Sequence, residues 1–322
     1  MSRTRPVVAL LHPGAMGAAV GQQATSKARV LWLPEGRSAA TAARADDAGL
    51  QPVADLATLV RDTDVVISLC PPQFADRIAA AVLAAGFDQG VFLDANALIP
   101  QRMAAIGELF AGTTVRVIDG SIIGPPPTGP GTTRLYLAGP TEGTTAVTDL
   151  FTGSGLEAVP ISGEVGAASA LKTAQAVFQK ASRALAGLAH ALADHYGVGD
   201  ILTEEGRRYH RPILAEPDFL PTVAARAWRW SPEMTEAAEA LHAADLPDAM
   251  IRGAVEVLDA WAAYRDTPPG DTGTLFTRLR QAAGQEPGSA ARCEPASPVE
   301  PSDEALRALD QSARRSGKGQ GA

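Results

Sequence analysis

The stretch Val7-Val8-Ala9-Leu10-Leu11-His12-Pro13-Gly14-Ala15-Met16-Gly17-Ala18-Ala19-Val20-Gly21 constrains this chain more than any other. Five apolar residues, Val7 to Leu11, read as a strand buried on both faces. A turn follows at once, and Ala15 to Gln23 then reads as helix. A strand, a glycine-bearing turn and a helix at the start of a chain form the opening of a dinucleotide-binding βαβ unit. The physics demands small residues there. A pyrophosphate must come close to the backbone, and the first N–H groups of the helix must point at it. Gly14 admits the phosphate, and Gly17 lets the helix lie close to the strand. Pro13, Ala15 and Met16 complete the turn that would cover it.

The pattern is one glycine short. G-x-G-x-x-G would be filled by His12, Gly14 and Gly17. Histidine adopts positive φ more readily than most side chains, so His12 is expected to make the tight turn in that way. A tolerated turn residue is the preferred reading of His12, and a phosphate contact or proton donor is its functional alternative. Ala28 to Leu33 reads as the second strand, ending where such a unit selects its cofactor, about 20 residues past the glycine turn. Glu35 would hold the ribose 2′-hydroxyl of NAD. Arg37 and Ser38 would bind the 2′-phosphate of NADP, because a guanidinium fork matches phosphate geometry. Pro34 and Gly36 predict a turn that swings Glu35 away, so NADP(H) is the expected cofactor and NAD(H) the alternative.

Further strands are expected around Pro52 and Val53, and at Val65 to Leu69, Val91 to Leu93, Val115 to Ile118, Arg134 to Ala138 and Glu157 to Ile161. Helices are expected at Ser38 to Gly49, Leu56 to Arg61 with Asp55 as its cap, Phe74 to Ala85 and Pro100 to Phe110. Alternation of strands and helices is the mark of a doubly wound α/β domain, a Rossmann-type parallel sheet. From Glu164 the pattern changes. Val165 to His195 carries apolar residues at helical spacing, and Leu220 to Arg229, Pro232 to Ala244, Pro247 to Arg265 and Gly273 to Ala283 read as further helices. The expected division is therefore an α/β domain over 1–163, an all-helical domain over 164–285, and a disordered tail over 286–322 rich in Pro, Gly, Ser and charge.

At 322 residues the chain is long enough for two domains. A net charge of −8 argues against nucleic acid or an anionic membrane as partner. Two cysteines, Cys70 and Cys293, exclude a disulfide framework, and the histidines show no metal-ligand spacing, so no metal site is expected. No apolar run approaches the ~18 residues of a membrane span, and none suits a signal peptide, so a cytoplasmic location is expected.

Several motifs recur together in one order: Gly14-Ala15-Met16-Gly17, the turn Cys70-Pro71-Pro72, Asp94-Ala95-Asn96, Asp119-Gly120, the run Gly131 to Gly139, and Lys172 in a long helix. In this order they resemble the β-hydroxyacid dehydrogenases, relatives of 6-phosphogluconate dehydrogenase and of imine reductases, over about residues 7 to 195. The run Arg226 to Trp230 with Glu233 and Met234 is similar to the C-terminal domain of a bacterial 6-phosphogluconate-dehydrogenase-like subgroup. The resemblance implies an NAD(P)-binding Rossmann domain, a helical second domain and a homodimer. It places Gly14 to Gly17 on the pyrophosphate, and Cys70, Pro71 and Asn96 along the ribose and nicotinamide. It also makes Lys172 the proton donor or acceptor. Lysine on a helix among small apolar neighbours is desolvated, which lowers its pKa toward a useful range. Gln175, one turn on, would orient a small-molecule substrate, whereas Lys180 reads as a solvated charge. Trp228, Trp230 and Met234 read as helix packing.

Departures from the pattern bear on substrate. The segment Asp119-Gly120-Ser121-Ile122-Ile123-Gly124-Pro125 reads as the substrate loop, with Ile123 where hydroxyacid enzymes carry serine. A carboxylate-binding hydroxyl is lost, which favours a less charged carbonyl or imine. The expected function is hydride transfer between NADP(H) and a small alcohol/carbonyl or amine/imine pair. Two alternatives remain at this stage: a cofactor-binding protein without turnover, and an imine reductase proper, against which the retained Lys172 counts. The helix of about 30 residues needs more apolar cover than one small domain supplies, which predicts a homodimer.

Overall fold

Short runs of Val, Ile and Leu with no polar face dictate strands covered on both sides, and the strands of a computed structural model, which describes residues 5–284, range from full burial at Val7–Leu10 and Val65–Ser68 to exposure at Gln51–Pro52. They are β1 (Val7–Leu10), β2 (Arg29–Trp32), β3 (Gln51–Pro52), β4 (Val65–Ser68), β5 (Gln89–Asp94), β6 (Thr114–Ile123), β7 (Thr133–Ala138) and β8 (Leu156–Pro160). All eight expected strands form, in one sheet ordered β3-β2-β1-β4-β5-β6-β7-β8. The first six run parallel; β7 is antiparallel to β6, and β8 runs parallel to β7.

Helices α1 (Ala15–Ala24), α2 (Ala39–Asp47), α3 (Leu56–Arg61), α4 (Ala75–Ala84), α5 (Pro100–Leu109) and α6 (Thr141–Phe151) connect the strands. Alternate strand residues point to opposite faces. Val8, Leu10, Ile67, Leu93 and Ile118 enter one core, and Val7, Ala9, Val66, Phe92 and Val117 the other. Strand order reverses between β1 and β4, so the carboxyl ends of those two strands flank the crevice where such sheets take ligands.

After β8 the described chain is helical: α7 (Ala167–His195), α8 (Gly199–Arg208), α9 (Pro212–Ala215), α10 (Leu220–Ala243), α11 (Ala249–Trp261) and α12 (Thr272–Gly284). Three expectations need correction. Two helices divided before Pro232 are one, α10, with Pro232 inside it. A proline in a helix interior costs about 3 kcal/mol, but Val223, Ala224 and Ala227 before it and Met234, Ala237 and Ala238 after it are all buried, and that packing carries the helix through. Second, the segment read as a substrate loop is the far half of β6. Ser121, Ile122 and Ile123 pair with Tyr136, Leu135 and Arg134 of β7, and Gly124 follows the strand at a φ of 131°. Third, α6, α8 and α9 were not expected. The tail expected over 286–322 lies outside the described residues.

One side chain joins sheet and long helix. Asp119 on β6 is fully buried, and its carboxylate accepts hydrogen bonds from the Gly166 and Ser169 N–H groups, both at 2.9 Å, and from Ser169 Oγ at 2.7 Å. These donors stand at the N-terminus of α7, whose dipole favours an anion. Gly166 itself sits at a φ of 107°, a turn only glycine makes cheaply. Asp119→Ala would strand two buried N–H groups. It is expected to lower unfolding free energy by about 2–4 kcal/mol in urea denaturation.

Candidate active site

At the glycine turn, a Cβ on Gly17 would lie 2.1 Å from the His12 carbonyl oxygen, so α1 approaches β1 at a distance that no other residue permits. Gly14 has no such conflict: a Cβ there would meet only the His12 ring, at 3.7 Å. Gly14 is also the cap of α1 and offers no capping side chain, so no side chain blocks the helix N-terminus. These features fit a pyrophosphate resting on α1. His12 is absent from the residues with positive φ, so the turn is made without the strain expected there.

His12 is instead tied to Arg37, whose guanidinium lies 3.0 Å from His12 Nδ1 and donates to the Leu11 carbonyl at 3.2 Å. Guanidinium carries donors only, so Nδ1 is the acceptor and the imidazole is neutral. Burial lowers the His12 pKa, and Arg37 and Arg44 lower it further, which keeps the ring uncharged. Ser38 caps α2, its hydroxyl accepting from the Thr41 N–H at 3.2 Å. The predicted turn is present: the Arg37 N–H donates to the Pro34 carbonyl at 3.0 Å, Gly36 has a φ of 70°, and Glu35 is exposed. Arg44, on α2, donates to Thr41 Oγ1 at 3.0 Å and adds a second cation to this corner. The sequence reading missed it because it lies a turn and a half past the cofactor-selecting loop.

The next cluster fastens the ends of β4 and β5. Asn96 Oδ1 accepts from the Cys70 N–H at 2.6 Å, and Asn96 Nδ2 donates to Ser68 Oγ at 3.0 Å and to Asp94 Oδ2 at 2.9 Å. The Asn96 N–H donates to Asp94 Oδ1 at 3.0 Å. Asn96 is buried and spends its amide on the protein, holding the Cys70-Pro71-Pro72 turn in place. Pro72 begins a 3-10 turn over Pro72–Phe74, and its carbonyl accepts from Arg102 at 3.0 Å. Burial and nearby Asp94 push the Cys70 thiol up to about 11, so it stays protonated near neutral pH.

Lys172 lies in the second turn of α7, half-buried, with its ammonium donating to the Ile122 carbonyl. Burial lowers its pKa; Glu233 opposes that shift, and Lys180 adds to it. Beside it is a cavity of about 10 Å³, lined by Ala97, Leu98 and Ile99 after β5, Lys172, Thr173 and Ala176 of α7, and Glu233, Glu236 and Ala237 of α10. That is room for about one water. Ser121 Oγ is fully buried and, among the described residues, is the one buried side-chain polar atom without a hydrogen-bond partner. Gln175 does not reach the cavity; its amide donates to Gln179 at 3.1 Å. Lys180 is not the solvated charge expected: it is buried and ion-paired with Glu233. No local pattern links residues 53 positions apart, so sequence could not reveal the pair. Met234 packs in the core as expected, Trp228 donates to Asp266 at 3.2 Å beneath the Arg265 guanidinium, and Trp230 faces Lys180.

Comparison with solved structures places the fold among known ones. The chain is similar to 3-hydroxyisobutyrate dehydrogenase of Mycobacterium tuberculosis, solved with L-serine, at 17% identity and a TM-score of 0.68 over 86% of this chain and 100% of that one. It is similar to a conserved hypothetical protein of Sinorhizobium meliloti at 22% identity and 0.67, over 87% and 97%. It is also similar to the reductive aminase of Aspergillus terreus, solved with NADPH and ethyl levulinate, at 15% identity and 0.52, over 86% and 100%. The fold is that of the β-hydroxyacid dehydrogenases, a Rossmann-type sheet followed by helices. More particularly, residues 193–261, from the end of α7 through α11, match the domain of unknown function DUF1932. A search of curated protein sequences finds no match. Among the described residues, no helix is long and apolar enough to cross a membrane.

Burial pushes the Asp94 carboxyl from its ordinary 3.8 up to about 7. The folded state then holds this proton over a pH range where the unfolded chain releases it. Stability is therefore expected to fall as pH rises from about 4 to about 7. Asp94→Asn should flatten that part of the profile of melting temperature against pH, whatever its effect on absolute stability.

Proposed function

We propose that this protein is an NADP(H)-dependent oxidoreductase of the β-hydroxyacid dehydrogenase type, acting on a small alcohol/carbonyl or amine/imine pair. The observation that carries this reading is the placement of Lys172. Its desolvated amine is held on the Ile122 carbonyl, beside a cavity that opens against the residues after β5. A bound nicotinamide supplies or accepts the hydride. Lys172 gives a proton to the substrate oxygen or nitrogen as charge develops there, and takes it back in the reverse direction. Ser121 Oγ, unpartnered and buried on the same strand as the Ile122 carbonyl, is a second group for the substrate. Ile123 replaces a carboxylate-binding serine, and with it the strand end offers Ile122, Ile123 and Gly124, which suits a substrate less charged than a sugar acid.

For the cofactor, Gly14, Ala15, Met16 and Gly17 would receive the pyrophosphate at the start of α1. Arg37, steadied by His12, and Arg44 would meet a 2′-phosphate at the end of β2. Ser38 would contribute through the N-terminus it caps. Asn96 holds Cys70 and Pro71 against the ribose and nicotinamide side. In this reading the change from sheet to helices at 163–164 divides a cofactor-binding part from a substrate and dimerisation part.

Lys172→Ala is expected to lower kcat by roughly 10²–10⁴ with NADPH affinity nearly unchanged, the scale of a lost general acid. Lys172→Arg should not rescue it, because guanidinium does not release its proton near neutral pH. Arg37→Ala should weaken NADPH binding far more than NADH binding in fluorescence titrations and spare the chemical step. Wild-type turnover by Lys172→Ala would refute the mechanism. NADPH binding without turnover across a panel of carbonyls and imines would favour a cofactor-binding protein instead.

The assembly follows from α7. Leu171, Phe178, Leu185 and Leu192 recur at seven-residue intervals on this 29-residue helix and are exposed, Phe178 by 74%, with Leu188 beside them. Heptad spacing makes a seam that an identical seam covers well. We propose that a second copy of the chain covers it. Light scattering should give a dimer mass for the wild type, and Phe178→Asp combined with Leu185→Asp should give the mass of a monomer.

A further inference from the structure

A partly buried charge cluster between α7 and α10 has no part in the reading above except through Lys172, on whose role as proton donor this inference rests. Lys180 follows Lys172 along the same stripe of α7 and is only 5% exposed. Glu233 of α10 pairs with its ammonium, and the Trp230 ring lies 5.6 Å from its Nζ. The same Glu233 lines the cavity beside Lys172. One carboxylate thus serves two amines. The other charges nearby are committed or peripheral. Glu236, also on the cavity, is held by Arg102 at 3.0 Å, and Arg102 in turn holds Asp76. Arg229 acts on Lys180, and Glu239 on Glu236.

In a poorly hydrated cluster a single carboxylate neutralises one ammonium, and a second ammonium must find another anion or release its proton. Lys180 has the direct ion pair. Lys172 has the neutral carbonyl of Ile122. We propose that Lys180 and Glu233 are positioning residues for the proton transfer: Glu233 keeps Lys180 charged, and that fixed cation makes Lys172 the amine that surrenders its proton to the substrate. The released proton goes to the oxygen or nitrogen whose carbon has received the hydride, Lys172 is left neutral, and water reprotonates it afterwards. Burial lowers both lysine pKa values, and Glu233 opposes the shift at each, in keeping with a shared carboxylate.

The two partners act on Lys172 in opposite senses. Lys180→Met removes the repelling cation and frees Glu233, so Lys172 should titrate at higher pH. Glu233→Gln leaves two amines unopposed, so Lys172 should titrate at lower pH. Each shift is expected to reach about one pH unit or more, as for charges within a few ångströms. Lys180→Arg keeps the cation and should leave Lys172 near its wild-type midpoint. The chain has four lysines, Lys27, Lys172, Lys180 and Lys318, so Cε-labelled full-length protein gives a simple NMR titration, with Lys172 assigned from its loss in Lys172→Arg. This readout needs no substrate. Opposite shifts in Lys180→Met and Glu233→Gln support the proposal, and either folded variant decides alone. An unmoved Lys172 midpoint, or shifts in one common direction, overturns it. Undiminished turnover by Lys172→Ala would refute the proton-donor assignment separately and leave the titration result standing.

Discussion

The structure depends on the grip of the Asp119 carboxylate on the first turn of α7. A buried carboxylate is costly unless its lone pairs are met, and here two backbone N–H groups and a hydroxyl meet them. Burial still raises the Asp119 pKa, with the Ser169 and Gly166 hydrogen bonds opposing. The interaction settles where the helix begins and how it is rotated against β6. Lys172 follows one turn later, so its reach to the Ile122 carbonyl, three residues along the same strand, is set by the same contact. Strand and helix meet at two points, the Asp119 carboxylate and the Ile122 carbonyl.

The carboxyl edge of the sheet follows a common logic. Several polar side chains on this edge are buried and bonded to a neighbouring element: Asp94 and Asn96 at the end of β5 with Ser68 and Cys70 at the end of β4, and Asp119 on β6 with α7, whereas Ser121 Oγ is buried without a partner. These bonds replace water with fixed dipoles and leave the turn residues little freedom, which is the condition for holding a cofactor in one pose. The glycine turn uses another device. Gly17 brings α1 against the His12 carbonyl, and the imidazole of His12, in place of a glycine, steadies Arg37. What looks like a lost glycine in the sequence is a support for the Arg37 guanidinium.

Charge at the helical side of the site works through desolvation. Lys172, Glu233 and Glu236 line a space the size of a water molecule, and Lys180 and Arg102 pair with its two carboxylates, on three elements that share no sequence neighbourhood. Pro232 sits inside α10 just before Glu233, and the helix passes through it because packed residues on both sides outweigh the lost hydrogen bond. The carboxylate facing Lys172 therefore arrives on a continuous helix rather than at the start of a new one.

Much of this was legible in the sequence because it is local. The central strands β1, β2, β4 and β5 are carried by apolar runs bounded by turns, the Pro34 to Arg37 turn is written in Pro34 and Gly36, and α7 in apolar spacing after Gly166. The glycine turn follows from the close approach that only Gly17 permits. Lys172 is singled out by the resemblance of the ordered motifs, since a lysine on a helix face by its position alone is more often one that reaches solvent. Tertiary structure decided what depends on residues far apart. Ser121 to Ile123 became strand because β7 folds back on β6, and the reversal of β7 has no local signature. Lys180 became a buried ion pair because α10 brings Glu233 to it, and Gln175 was turned away to Gln179 by the rotation of α7. Local pattern sets which backbone state each segment prefers; pairing across 50 residues or more is a matter of packing and desolvation, which no window of sequence contains.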